Sequence, residues 1–134
     1  MFNSKSILVV DDDHEIRNAT MMRLQFSGYS VTSAVDGQDA LDNIELQKPD
    51  AIVMDLRMPR MDGLSALNSL KARSDTSHIP VVMVSASVVD KRKALEAGAR
   101  FFISKPYNSC DLLAAIEVSL IEVSQGSSQL RRSL

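Results

Sequence analysis

The chain has 134 residues and a mass of 14.7 kDa, the size of one domain built on a single core. Its 45% apolar and 24% charged content excludes a disordered or collagen-like polymer, and no apolar run approaches membrane-spanning length. Fifteen basic against seventeen acidic side chains leave a net charge of -2, too little cationic excess to hold nucleic acid by bulk electrostatics.

Residues 7–10 (Ile-Leu-Val-Val) form a continuous, largely β-branched run, the pattern of a strand buried on both faces. Asp13 can cap a helix over 14–27 that Gly28 ends, with Ile16, Ala19, Thr20 and Leu24 as its inner stripe. Residues 30–34 alternate, which suits a strand nearer an edge. Asp36 and Gly37 open a second helix to about residue 47, with Leu41 and Ile44 inward. Residues 51–54 repeat the buried-strand pattern, and a third helix over 63–72 carries Leu64, Leu67 and Leu70. Residues 81–84 are a further buried-strand run, followed by a fourth helix over 88–97 that Gly98 ends. Residues 101–103 complete the set of continuous runs. Ser109 or Asp111 caps a fifth helix with Leu112, Leu113, Ile116 and Leu120 at helical spacing. Strand and helix alternate five times, which predicts an α/β domain with a parallel sheet, helices on both faces and right-handed crossovers. This domain spans residues 1–124. The Gly/Ser/Gln-rich residues 125–134 read as a flexible tail or the start of a linker. Residues 1–6 hold no apolar signal segment and Cys110 is the lone cysteine, so a cytoplasmic, reducing compartment is expected. Cys110 itself is expected to be buried or half-buried, and His14 and His78 to be surface residues.

Ligands of open parallel sheets bind at the carboxyl ends of the strands. The residues that follow those ends are Asp11, Asp12 and Asp13, then Asp55, then Ser85 and Ala86, then Lys105 and Pro106. Clustered carboxylates repel, and a divalent cation relieves the repulsion. Magnesium suits carboxylates, a carbonyl and a phosphate oxygen, whereas a zinc site would want a Cys–His cluster that the sequence lacks. A carboxylate can also attack a phosphoryl group to give an acyl phosphate, with the metal and a lysine stabilising the transferred charge.

Four stretches carry a resemblance. They are residues 7–13 (Ile-Leu-Val-Val-Asp-Asp-Asp), residues 55–63 (Asp-Leu-Arg-Met-Pro-Arg-Met-Asp-Gly), Ser85-Ala86, and residues 98–106 (Gly-Ala-Arg-Phe-Phe-Ile-Ser-Lys-Pro). With Asp36-Gly37 they span roughly residues 5–122 and resemble the receiver domain of two-component response regulators. The resemblance implies a flavodoxin-like, doubly wound sheet in the order 2-1-3-4-5 with five helices. It implies that Asp55 accepts a phosphoryl group from a sensor histidine kinase or a histidine phosphotransfer protein. Asp11, Asp12, Asp55 and the backbone carbonyl of Arg57 would hold Mg²⁺. Ser85 and Lys105 would bond phosphoryl oxygens, the Lys105–Pro106 bond is often cis, and Ser85 with Phe102 would form the switch. The expected partners are the kinase and a downstream protein or appended output domain, with no direct nucleic-acid or membrane contact, in a monomer or weak dimer. Between Ser85 and Lys105 the chain is about two residues shorter than is usual in the family, so the fourth helix or the loop before it is shortened.

Two other readings use the same residues. Asp11 and Asp13 have the spacing of a haloacid-dehalogenase-type phosphatase, though His14 departs from its pattern, the chain is short for it, and the Asp55 motif is left unused. A degenerate receiver acting as a binding scaffold would not need the complete acid set, Ser85 and Lys105.

Overall fold

The computed structural model of the chain describes residues 5–124. The expected tail at 125–134 lies outside them. Five strands and five helices alternate: β1 (Ser6–Val10), α1 (His14–Phe26), β2 (Ser30–Ala34), α2 (Gly37–Leu46), β3 (Ala51–Asp55), α3 (Gly63–Lys71), β4 (Val81–Ser85), α4 (Asp90–Glu96), β5 (Phe101–Ser104) and α5 (Ser109–Ser124). The strands form one parallel sheet in the order β2-β1-β3-β4-β5. This is the flavodoxin-like order that the resemblance implies.

Alternate residues of the central strands point to opposite faces and divide the core in two. Leu8, Val10, Ile52, Met54, Val81 and Met83 pack against α2, α3 and α4. Ile7, Val9, Val53, Val82 and Val84 pack against Leu24 of α1 and Leu112 and Ile116 of α5. Burying each such side chain is worth about 1.5–3 kcal/mol, so the three inner strands are the main source of cohesion.

Caps fix where the helices start. Asp13, Asp36 and Asp62 each accept backbone N–H groups at the starts of α1, α2 and α3. At α5 the cap is Asn108, whose Oδ1 accepts from Asp111 N at 2.8 Å, rather than the expected Ser109 or Asp111. Gly28 and Gly98 end their helices with φ of 100° and 108°, the left-handed geometry that suits glycine.

Four further expectations are corrected. The run at 101–103 is only half-buried, because β5 is the last strand of the sheet and has a neighbour on one side only. Ala19 is exposed and opens onto a groove of about 410 Å³ between α1 and the β5–α5 loop, so it does not join the inner stripe. The fourth helix begins at Asp90 rather than residue 88, leaving seven residues in α4 and Val88 and Val89 exposed in the preceding turn. Cys110 is exposed, since it lies two residues, about 200° around the helix, from the buried Leu112 of α5. His14 and His78 are on the surface, as expected.

Candidate functional site

The carboxyl ends of β1, β3, β4 and β5 form one rim, and register brings their polar ends together. Met54 pairs with Val10, so the next residues, Asp55 at the end of β3 and Asp11 just past β1, lie side by side. Ser85 pairs with Ser104, which places Lys105 beyond it, and the Lys105 N–H donates to the Ser85 carbonyl at 2.9 Å. The Lys105–Pro106 bond is cis, as the resemblance implies.

The Lys105 ammonium bridges the two acids. It donates to Asp55 Oδ2 at 2.9 Å and to Asp11 Oδ2 at 3.1 Å. Both carboxylates are nearly buried, at 6% and 3% exposure. Asp12 projects to solvent, yet carboxylate oxygens of Asp11, Asp12 and Asp55 all lie within 4.8 Å of one another. Three like charges at that distance favour a cation among them. Burial pushes the Asp55 carboxyl up from its ordinary value; the Lys105 ammonium opposes this and the charge on Asp11 adds to it. Burial pulls Lys105 down, but its bonds to Asp55 and Asp11 win and hold it above the usual lysine value.

Local bonds set the loop around Asp55. Arg57 N–H donates to Asp55 Oδ1 at 3.3 Å. Gly63 N–H returns to the Leu56 carbonyl at 2.7 Å, which brings the start of α3 against β3. A β-carbon on Gly63 would lie 2.3 Å from the Asp55 carbonyl oxygen, so only glycine fits this approach. Arg60 adopts a positive φ of 65° and its guanidinium pairs with Asp36, tying the loop to α2. Such a backbone conformation costs about 1 kcal/mol in a residue with a β-carbon, and the ion pair holds it.

The structure brings Asp11, Asp12, Asp55 and Lys105 together, as the sequence implies. Ser85 stands on the same rim but is turned elsewhere: its hydroxyl donates to Asp90 Oδ2 at 2.7 Å. Phe102 is half-buried and packs against the α2–α3–α4 side of the core. Sequence reasoning missed Asp90, which is 1% exposed and also takes two bonds from Arg57. It lies in the run Asp-Lys-Arg-Lys, which reads as a solvated face; an acid five residues after the β4 serine was the available signal. It also missed the pairing of Thr20 with Tyr107, whose hydroxyl oxygens lie 2.6 Å apart between α1 and the β5–α5 loop.

Comparison with known proteins agrees with this geometry. The model of the response regulator receiver domain matches residues 7–117. The response regulator MprA of Mycolicibacterium vanbaalenii is 42% identical over 114 residues, 85% of this chain and 49% of that protein. The chain spans about half the length of the curated relatives it matches. Among solved structures, a CheY-like receiver domain protein of Methanospirillum hungatei superposes with a TM-score of 0.83 at 34% identity, covering 92% of this chain and 98% of that one. The receiver domain of sensor histidine kinase PA1611 from Pseudomonas aeruginosa superposes with a TM-score of 0.82 at 29% identity, covering 88% and 98%, and holds a magnesium ion in its active-site cleft. Neither the phosphatase nor the scaffold reading gains support from these relatives or from the strand order. An acid cluster and a bridging lysine on the rim of a 2-1-3-4-5 sheet, in a chain matched over residues 7–117, place this protein in the response regulator receiver domain family, the phosphorylatable switch of two-component signalling.

Proposed function

We propose that Asp55 is the phosphoryl acceptor and that its donor is a phosphohistidine on a sensor kinase or a histidine phosphotransfer protein. The observation that carries this reading is the Asp55 carboxylate held at 2.9 Å by Lys105, with Asp11 and Asp12 within 4.8 Å. In the transfer the nitrogen–phosphorus bond of the donor breaks as an Asp55 oxygen–phosphorus bond forms. The departing imidazole keeps the electron pair and takes up a proton. Lys105 already touches the nucleophilic carboxylate and stays beside the charge that develops on the phosphoryl oxygens.

The donor set fits Mg²⁺: two buried acids, one exposed acid and oxygen ligands only. Asp11, Asp12, Asp55 and the Arg57 carbonyl would hold it, and when bound it would neutralise charge on the transferred group. Ser85 would bond one phosphoryl oxygen and Lys105 another. As Ser85 turns toward the phosphoryl group, Phe102 would rotate inward and reshape the face of α4, β5 and α5, the surface offered to a downstream protein or output domain. The half-buried ring has only part of the burial free energy of a phenylalanine left to gain, about 1 kcal/mol, so phosphorylation need only bias an existing equilibrium.

Incubation with acetyl phosphate and Mg²⁺ followed by intact-mass measurement tests the acceptor. One added phosphoryl group is expected on the wild type and none on Asp55→Asn. Full labelling of that variant, or none of the wild type, would sink the assignment. Repeated turnover without a retained phosphoryl group would return the phosphatase reading.

A further inference from the structure

The Ser85 hydroxyl has one proton to give, and Asp90 holds it. Ser85 Oγ donates to Asp90 Oδ2 at 2.7 Å and accepts from the Ser87 N–H at 3.2 Å. Asp90 is the first residue of α4 and is buried at 1% exposure. The Arg57 guanidinium grips the same carboxylate twice, Nε to Oδ2 at 2.8 Å and the second arm to Oδ1 at 2.9 Å. Arg57 stands two residues past Asp55, and Ser85 ends β4. One buried carboxylate thus joins the loop after β3, the end of β4 and the start of α4. The residue before α4, Val89, supplies no side-chain cap, and beside the backbone bonds of the preceding turn the Asp90 carboxylate ties this end of the helix to the rim.

We propose that Asp90 is a positioning residue that keeps the Ser85 hydroxyl turned away from Asp55 until a phosphoryl group competes for it. The inference rests on the acceptor reading above. A hydroxyl proton serves one strong acceptor at a time. A phosphoryl group on Asp55 brings three acceptor oxygens and a charge of about -1.5 to -2, enough to draw the proton away from Asp90. The Arg57 side chain is 63% exposed and its guanidinium is bonded to Asp90, with the Asp62 charge a weaker influence nearby, so it can follow the new charge. The exchange then loosens the start of α4 from the rim. Removing Asp90 takes away the competing acceptor, so the site should hold a phosphoryl mimic more tightly. A hydrogen bond to a charged group sets the scale at roughly tenfold.

The test is beryllofluoride titration in excess Mg²⁺, followed by calorimetry, on the wild type, Asp90→Ala, Ser85→Ala and the double variant, with circular dichroism to confirm folding. Asp90→Ala is expected to bind about tenfold more tightly than the wild type. In the Ser85→Ala background the same substitution should change affinity by less than about twofold, because its effect runs through the hydroxyl. Asp90→Asn keeps the side-chain volume but not the charge; it should show a smaller gain in the same direction, and it serves if the alanine variant does not fold. Unchanged or weaker binding in both Asp90 variants overturns the inference. So does an equal gain without Ser85, which would place the effect in charge alone. A wild type that binds no beryllofluoride overturns the acceptor reading and this inference together, whereas binding without a gain overturns the inference only.

Discussion

Asp36 does two jobs at the first turn of α2. It caps the helix through Asp39 N–H at 2.8 Å and holds Arg60 in its left-handed backbone conformation. The Asp39 N–H bond, with Arg60 helping and burial opposing, keeps its carboxyl below the usual value. A depressed folded-state value means the unfolded chain binds more protons in acid. The stability from Asp36 is therefore fully present well above the unfolded value near about 3.9 and is lost as pH falls through the lower folded value. Urea unfolding between pH 7 and pH 3 should show a shallower acid limb in Asp36→Asn than in the wild type, and an unchanged slope would refute the assignment. Asp36→Ala should cost about 1–2 kcal/mol at neutral pH by losing the cap. At the rim, Mg²⁺ should raise the wild-type melting temperature by binding only the native state, and should leave Asp12→Ala unmoved. Equal thermal shifts in both proteins would place the metal elsewhere. Asp11, Asp12, Asp55, Ser85 and Lys105 were legible because each stands at or just past the carboxyl end of an apolar run that reads as a strand. Asp90 was not, because its burial is created by the short α4 and by Arg57, contacts that no local pattern encodes.

Elements meet most closely where α3 starts against β3. The Gly63 approach leaves no room for a methyl group beside the Asp55 carbonyl, and that atom belongs to backbone that cannot move aside cheaply. Gly63→Ala should destabilise the fold by about 3 kcal/mol, the upper end for overpacking, and should slow labelling of Asp55 by acetyl phosphate. Chemical denaturation and mass spectrometry check the two effects; a variant as stable as the wild type would contradict the geometry. The sequence placed a helix start at Gly63 and missed the contact, since closeness of a helix to a strand depends on packing across the sheet. It likewise placed the fourth helix two residues early: Val88 and Val89 have helical spacing with later apolar positions, but they lie exposed in a turn that Asp90 terminates. The NMR spectrum with and without beryllofluoride tests whether this region responds. Shifts are expected at Phe102 and residues 86–97 as well as around Asp55, and shifts confined to the Asp55 rim would refute the coupling.

At the scale of the molecule, strand–helix alternation was enough to fix the parallel sheet, and the strand order came with the family resemblance. The inner strands were plain because burial on both faces leaves an unbroken apolar run. β5 was over-read as one of them because its two phenylalanines and isoleucine look the same whether one or two neighbours flank the strand. The sheet also keeps the halves of the interior apart, with Leu67 among the side chains on one side and Leu112 on the other. Leu67→Ala and Leu112→Ala should each cost about 2–5 kcal/mol, and the double variant should equal their sum within about 0.5 kcal/mol. A larger coupling, measured in a double-mutant cycle, would show that the backbone layer transmits strain. An additive result would make the sheet a bulkhead. Sequence drift in one compartment would then be repaired only by neighbours in that compartment, and a combinatorial library could rebuild the α1–α5 side while the packing beneath α3 and α4 is left as it is.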